Sequence, residues 1–364
     1  MNFDLSDDAK TLKEAARKFL DARAGPPAAR KVMDAAATHD AALWAEVVEQ
    51  GWPAARVPEE HGGLGLGADE ACVLAEEIGR SLAPVPLMST LAAIEAILLA
   101  GSDSQKAEWL PKLASGEAVG CLAWAEGSNS PTQMPSAKLA SGKLSGTKNP
   151  VIDGLVATVA IVTVATADGP AMAIASLDGA TREKQDTLDL VRPSAKVGFD
   201  GVAAEALGTA ADWVKLTERL AVLSAWEALG TADAAREMTL AYAKERVAFG
   251  QRIGRYQGVK HKLADMYIKA ELARAHALHG CWAWSADAPE LAQAASAARV
   301  ASLDALKYTA EESVQLHGGI GFTWEQDCQF YYRRNRLLAV SIGSKAHWSD
   351  RLVRALENRN RAAA

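Results

Sequence analysis

Y-A-K-E-R-V-A-F-G-Q-R-I-G-R-Y-Q, at Tyr242–Gln257, and Q-L-H-G-G-I-G-F, at Gln315–Phe322, decide how the rest of this chain is read. The first opens as a helix surface through Lys244, Glu245 and Arg246. Phe249-Gly250 and Ile253-Gly254 then mark a stop or bend, because glycine enters the left-handed region that helix ends use. The helical pattern resumes at Tyr256. An arginine, an aromatic ring and a glutamine around such a break supply a charge, a stacking face and an amide. Together they suit a large polar aromatic ligand that bears phosphates. The second stretch ends a helical run at Gly318 and Gly319, where backbone without side chains can approach a pyrophosphate. Each stretch alone is more simply a glycine-terminated helix. The two in this order are far more specific.

Outward from these stretches the period of the apolar residues changes twice. Residues 1–117 read as helical. Ser6-Asp7-Asp8 is an N-cap for a helix over Ala9–Ala22, and a second helix over Ala41–Gln50 stops at Gly51. The loop E-E-H-G-G-L-G-L-G is too rich in glycine for regular structure, and its His61 reads as a turn residue rather than a ligand or base. Helices over Ala68–Leu82, Leu87–Ala100 and Ser104–Ser115 follow. From residue 118 to 207, short runs rich in Val, Ile, Ala and Thr predict strands at Gly120–Ala125, Lys143–Thr147, Val156–Ala165 and Ala171–Leu177. From 208 to 364 long helical patterns return: Asp212–Arg246, Gln257–Ser285, Asp287–Leu316 and His347–Arg361. Four such helices with short connections predict an antiparallel bundle. The expected fold is therefore mostly α with a β middle domain: an N-terminal helical domain, a small barrel-like β domain and a C-terminal four-helix bundle.

Bulk properties narrow the class. A chain of 364 residues with 49% hydrophobic and 23% charged residues is ordinary globular material with room for several packed layers. The net charge of −6 and the lack of a basic block argue against a nucleic-acid partner. Cys72, Cys121, Cys281 and Cys328 have no metal-like spacing and read as buried free thiols in a reducing compartment. The acidic N-terminus, M-N-F-D-L-S-D-D, lacks an apolar signal core, and no apolar run is long enough to span a membrane. A soluble cytoplasmic protein without a metal site is expected.

The two stretches, together with V-P-E-E-H-G-G-L-G-L-G at Val57–Gly67, E-E-I-G-R-S at Glu76–Ser81 and Y-R-R-N-R-L at Tyr332–Leu337, resemble the acyl-CoA dehydrogenase family of flavoproteins. The resemblance covers most of the chain. It implies an FAD held between the β domain of one subunit and the helical bundle of its neighbour. It implies an acyl-CoA substrate, a carboxylate that removes the Cα proton, and an electron-transfer flavoprotein as electron acceptor. A dimer or tetramer, or a heteromer with a related chain, follows from the shared cofactor site. By motif, Arg246, Phe249, Gln257, Gln315, Gly318, Gly319 and Ser344 are its cofactor-binding candidates.

Several motif positions depart from the family pattern. Where many relatives carry T-E-P-x-x-G-S-D, this chain has A-E-G-S-N-S-P at Ala125–Pro131. The threonine that bonds the flavin ring becomes Ala125, and the substrate-facing serine becomes Pro131. W-I-T-N-G becomes P-V-I-D-G at Pro150–Gly154, which puts Pro150 and Ile152 at the ring. Trp124 is a candidate apolar wall in compensation. The glutamate of an E-G-T segment becomes Ile342 in I-G-S, so the common base is absent.

Other relatives carry the base in an L-E-R-L motif early in the first bundle helix. T-E-R-L at Thr217–Leu220 makes Glu218 the first candidate, although counting back from Arg246 puts the family position at Leu220. Two residues turn a helical side chain by about 200°. Glu227 is the second candidate, on the face of Leu220 and about 10 Å further along the axis. An apolar setting there would raise its pKa, while a structural partner across the bundle would make it an ion-pair residue. A third reading leaves the chain without a base. The expected activity is desaturation of a bulky, branched or cyclic acyl-CoA. Its rivals are a non-catalytic subunit that completes a partner's cofactor site, and a scaffold that binds no flavin.

Overall fold

Ser6 accepts a hydrogen bond from the Ala9 amide at 3.0 Å and so starts the first helix, α1 (Asp7–Arg23), where the N-cap reading puts it. The computed structural model describes residues 4–363; Met1–Phe3, part of the acidic N-terminal reading, lie outside the described residues. Helices α2 (Pro26–Asp34) and α3 (Ala41–Glu49) follow, and α3 is capped by Asp40, whose Oδ1 accepts the Ala42 and Leu43 amides. α2 was not expected from the sequence; it opens on two prolines, Pro26 and Pro27. They occupy its first turn, where the missing amide has no partner to lose. A single 3₁₀ turn over Glu59–His61 is all the regular structure in the glycine-rich loop. Then come α4 (Ala68–Ser81), α5 (Leu87–Ala100) and α6 (Asp103–Ala114), the last opened by a reciprocal Ser102–Gln105 capping box.

The middle of the chain folds into one seven-stranded sheet in the order β1-β4-β5-β7-β3-β2, with β6 also on β7. Its strands are β1 (Gly120–Ala123), β2 (Lys138–Ala140), β3 (Lys143–Ile152), β4 (Val159–Thr166), β5 (Gly169–Ser176), β6 (Thr181–Gln185) and β7 (Ser194–Leu207). Only β1–β4 is parallel, in register from Gly120↔Val159 to Ala123↔Val162. β7 is the shared strand: one edge pairs with β3, the other with β6 and then β5. β2, β6 and β7 were not expected from the sequence. β6 is polar and mostly exposed along its length, and glycines 198 and 201 interrupt the alternation of β7.

The remainder is α7 (Ala210–Glu245), the short hairpin β8 (Val247–Ala248) and β9 (Gln251–Arg252), α8 (Gln257–Ser285), α9 (Leu291–His317), α10 (Cys328–Leu338) and α11 (Lys345–Ala363). Four long helices are present as expected, and α10 is added to them. Two compact units emerge. The first takes the chain up to Ala29, Cys72–Ala83 and Ala221–Ala364; the second takes Arg30–Ala71 and Pro84–Leu220. No helix among the described residues is long and apolar enough to cross a membrane.

Within the first unit α4 and α7 meet backbone to backbone. A Cβ on Gly79 would lie 2.0 Å from the Glu227 carbonyl oxygen, and one on Gly230 would lie 1.9 Å from that of Glu76. Thr231 Oγ1 bridges the crossing, 3.1 Å from the Gly79 carbonyl and 2.8 Å from that of Glu227. Charges wrap this contact: Glu76 binds Lys13 at 2.6 Å and Arg274 at 2.9 Å, and Arg17 holds Glu77 through two bonds. Burial works against the Glu76 charge, but Arg274 and Lys13 outweigh it and hold its carboxyl below the usual range. For Glu77 the balance reverses, and burial raises its pKa despite Arg17. Because neither helix can retreat from a backbone contact without opening the core, Gly230→Ala is expected to cost about 3 kcal/mol, the upper end of overpacking. Denaturant unfolding measures this; a loss below about 0.5 kcal/mol, the range of a neutral surface change, would mean that the crossing is not close-packed.

Candidate functional site

The two stretches that open the sequence reading meet in the first unit. Tyr242, in the last turn of α7, stacks on His317 at the end of α9, with ring centroids 4.3 Å apart and an interplanar angle of 28°. Its hydroxyl reaches the His317 carbonyl at 3.4 Å, and one turn earlier Thr239 Oγ1 bonds Ser313 Oγ at 2.8 Å. His317 Nδ1 lies 2.7 Å from the Ser313 carbonyl, which makes it the protonated nitrogen, and burial pushes the ring's pKa down. Neither ring was singled out in the sequence, although both sit inside the quoted motifs.

Past Glu245 the chain turns back through β8 and β9. Phe249 and Gly250 form the two-residue turn, with φ of 53° and 81°. Positive φ at both central residues is the geometry of a type I′ hairpin, which favours Asn-Gly. A phenylalanine there is strained, and its side chain is 95% exposed. Folding therefore gives no reason for it. Arg246 and Gln257 are exposed beside this turn, and Arg246 makes no side-chain hydrogen bond or ion pair among the described residues. Gln315, Gly318 and Gly319 are exposed at the end of α9; Gly318 has φ of 68°, and a Cβ on either glycine would meet nothing within 4 Å. An open glycine backbone, an unpaired guanidinium, two amides and a bare ring fit the pyrophosphate and adenosine end of a dinucleotide. Ser344 is also exposed, and its hydroxyl accepts the His347 amide at 3.3 Å, which caps α11.

The ring-side positions lie in the second unit. Ala125 and Pro131 are buried, Ile152 is half-buried and Pro150 is exposed, and none has a side-chain hydrogen-bond donor. Trp124 is buried, and its carbonyl accepts from Thr163 Oγ1 at 3.1 Å. Trp213 Nε1 donates to the Pro131 carbonyl at 2.7 Å, so the first turns of α7 hold the tip of this loop. Asp153 closes the other motif, with its side chain bonded by Ser89 at 2.6 Å and by Arg192 at 3.3 Å.

The two carboxylate candidates have different surroundings. Glu218 is buried, but Ala211 and Val214 on its face are exposed and Lys215 is half-buried; Val222, one turn further in, is not exposed at all. Exposure on that face of α7 thus gives way to burial between Val214 and Glu218. Next to Glu218, Arg219 pairs with Glu95 at 3.3 Å, and Arg56 pairs with the same carboxylate at 2.7 Å. Arg56 also binds the Leu66 carbonyl at 2.8 Å, which ties the glycine-rich loop to α5. Glu95 was missed in the sequence, where a lone carboxylate inside L-A-A-I-E-A-I-L-L-A was its signal.

Glu227 is deep in the first unit. Arg334 Nη1 lies 3.3 Å from its Oε1, and both side chains are almost wholly buried. Arg299 shares the locality, bonding Ser224 Oγ at 2.7 Å, Ser341 Oγ at 3.2 Å and the Leu338 carbonyl. Burial pushes the Arg299 pKa down to about 10, and the Glu227 charge opposes that shift. Ile342 is buried in the turn that follows, its carbonyl bonded by Trp348 Nε1 at 2.7 Å. Among the described residues no three His, Cys, Asp or Glu side chains are grouped to hold a metal ion.

Comparison of the chain with known proteins finds one family. The acyl-CoA dehydrogenase N-terminal domain model matches residues 6–117 and the C-terminal domain model matches residues 216–356. Acyl-CoA dehydrogenase IpdE2 of Mycolicibacterium smegmatis is 34% identical, covering 93% of this chain and 96% of its own. The solved structure of the Tcur3481-Tcur3483 steroid ACAD G363A variant is 29% identical with a TM-score of 0.91, covering 98% of this chain and 99% of that one. The ChsE4-ChsE5 complex from Mycobacterium tuberculosis is 24% identical at a TM-score of 0.90, with coverage of 98% and 99%, a likeness of fold.

Substitutions at Glu227 and Phe249 separate structure from site. Glu227→Gln leaves two buried guanidiniums short of their carboxylate and is expected to cost about 3–5 kcal/mol. Adding Arg334→Met should recover part of that loss in the same unfolding measurement; no recovery would exclude the pair as the source. Phe249→Gly relieves backbone strain and should raise stability by about 1 kcal/mol. The same change should lower flavin content per chain. Equal flavin content in mutant and parent would assign the exposed ring elsewhere.

Proposed function

This chain belongs to the acyl-CoA dehydrogenase family, and we propose that it desaturates a bulky, polycyclic acyl-CoA between Cα and Cβ with FAD as cofactor. Members of the family bind FAD. When bound, FAD accepts the Cβ hydrogen as hydride. The observation that carries the reading is Glu218, a buried carboxylate one turn beyond the exposed Val214 on the same face of α7. Glu218 takes the Cα proton. Arg219, pinned by Glu95, fixes the rotation of this turn of α7 and thereby the direction of the Glu218 side chain. Glu227 serves instead as the counter-ion of Arg334 and Arg299. Arg246, Phe249, Gln257, Gln315, Gly318 and Gly319 bind the pyrophosphate and adenosine, and Ser344 completes that set. The likeness to a steroid acyl-CoA dehydrogenase supports a polycyclic acyl group. An electron-transfer flavoprotein would reoxidise the cofactor.

The resemblance argues for more than one chain per site. It implies that Arg246 and Gln257 of one chain reach the flavin of another, in a dimer, a tetramer or a heteromer with a related chain. Sedimentation of the flavin-loaded protein should give a dimer or larger; a flavin-loaded monomer would remove this shared site.

One observation favours a second reading. Ile342 occupies the turn where many relatives carry the base, and Glu227 is engaged by Arg334. On that reading the chain completes the cofactor site of a partner that supplies the base. Rapid anaerobic mixing with a panel of acyl-CoAs decides between the two. Glu218→Gln keeps the shape but cannot take a proton, so bleaching of the flavin should slow about 10²–10⁴-fold with the flavin retained. An unchanged rate excludes Glu218. Bleaching that appears only after a partner chain is added establishes the second reading.

A further inference from the structure

The segment between β1 and β2 crosses the ring-side positions without offering one side-chain donor at Ala125 or Pro131, yet it is held by a dense set of bonds centred on Glu126. Glu126 Oε1 accepts from Lys148 Nζ at 2.7 Å and from the Ala137 amide at 3.2 Å. Its Oε2 accepts from the Ser136 amide at 2.7 Å, and its own amide donates to Asn129 Oδ1 at 2.8 Å. One carboxylate thus ties the start of the loop to its end and both to β3. Main-chain bonds continue the anchor: the Asn149 amide donates to the Ala125 carbonyl and the Gly127 amide to the Asn149 carbonyl, each at 2.7 Å. Lys148 is fully buried, and it also bonds Thr163 Oγ1 at 2.8 Å and reaches the Trp124 carbonyl at 3.5 Å.

A lysine with no exposure costs stability unless its charge is met, and an apolar side chain of similar volume would pack there more favourably. An apolar side chain cannot orient two amides and a loop at once. The carboxylate can, because its two oxygens accept several bonds along fixed directions. The charge is also robust. Burial opposes ionisation of Glu126, but Lys148 and Ser136 outweigh it and hold the carboxyl at about 2, while burial pushes Lys148 down from its ordinary value.

We propose that Glu126 is a positioning residue for the flavin ring, fixing the path of the Ala125–Pro131 backbone so that main-chain atoms form the ring wall that side chains form in relatives. This rests on the cofactor reading above. Glu126 touches neither cofactor nor substrate in this role; it acts through the loop, whose tip Trp213 holds from α7.

The test uses full-length protein reconstituted with FAD. Glu126→Gln keeps the side-chain shape but loses the charge that binds Lys148, and Glu126→Asp keeps the charge but falls short of both amides. Both should raise the Kd for FAD about tenfold, which is 1.4 kcal/mol, and shift the visible absorbance of the bound flavin. Amides of 127–137 should exchange at least tenfold faster while those of α7 are unchanged. Should Glu126→Gln fail to fold, Glu126→Asp decides alone. Parental Kd and flavin spectrum in a folded variant, even with faster exchange, would overturn the assignment and leave a purely structural ion pair. If the parent protein takes up no FAD, the cofactor reading falls, and the assignment with it.

Discussion

α7 is buried on every side from Ala221 to Ala235, and that constraint governs the first unit. A helix surrounded by protein must be apolar or must have each polar group answered. Small residues and two glycine contacts let α4 approach to backbone distance. The charged groups of this stretch are paired, Glu227 with Arg334 and Asp233 with Arg236 and Arg274, and Thr231 bonds the Gly79 and Glu227 carbonyls. Replacing any one partner leaves the other stranded, so these groups stabilise as sets. Their individual worth cannot be summed.

The same logic separates roles among carboxylates that look alike in sequence. Glu227, Glu95 and Glu76 are each met by two cations within their own unit, at positions with almost no exposure. Such a group holds helices in place. Glu218 stands instead where a solvent-facing strip of α7 turns inward. Exposure ends within one turn of Glu218, whereas Glu227 is surrounded by buried residues. Glu126 represents a third use, in which one carboxylate ties the two ends of a loop to each other and to β3.

At the other end of α7 stability and function pull apart. Phe249 takes a left-handed backbone and exposes nearly its whole ring, both of which cost the folded chain. Gly318 and Gly319 likewise present bare backbone to the surface. Features that weaken an isolated subunit without compensation inside it point to a partner surface, which the proposed shared cofactor would supply.

The sequence alone carried the helix limits, the change to strands in the middle of the chain, and the family. α5 and α8 begin and end at the residues that glycine, proline and apolar period indicate, because those signals are local. α2 and β7 were lost where prolines or glycines interrupt the pattern, and β6 where no apolar face exists. The two glycine-marked stretches were legible because they are contiguous runs. Their meeting was not, since Tyr242 and His317 come together only when α7 packs on α9. The sequence also left Glu218 and Glu227 both open as bases. Their difference lies in what surrounds them: Arg334 and Arg299 reach Glu227 from distant parts of the chain, while the strip beside Glu218 stays exposed. Charge and burial depend on neighbours that folding brings from far along the chain, so only the tertiary structure could distinguish two glutamates on one helix.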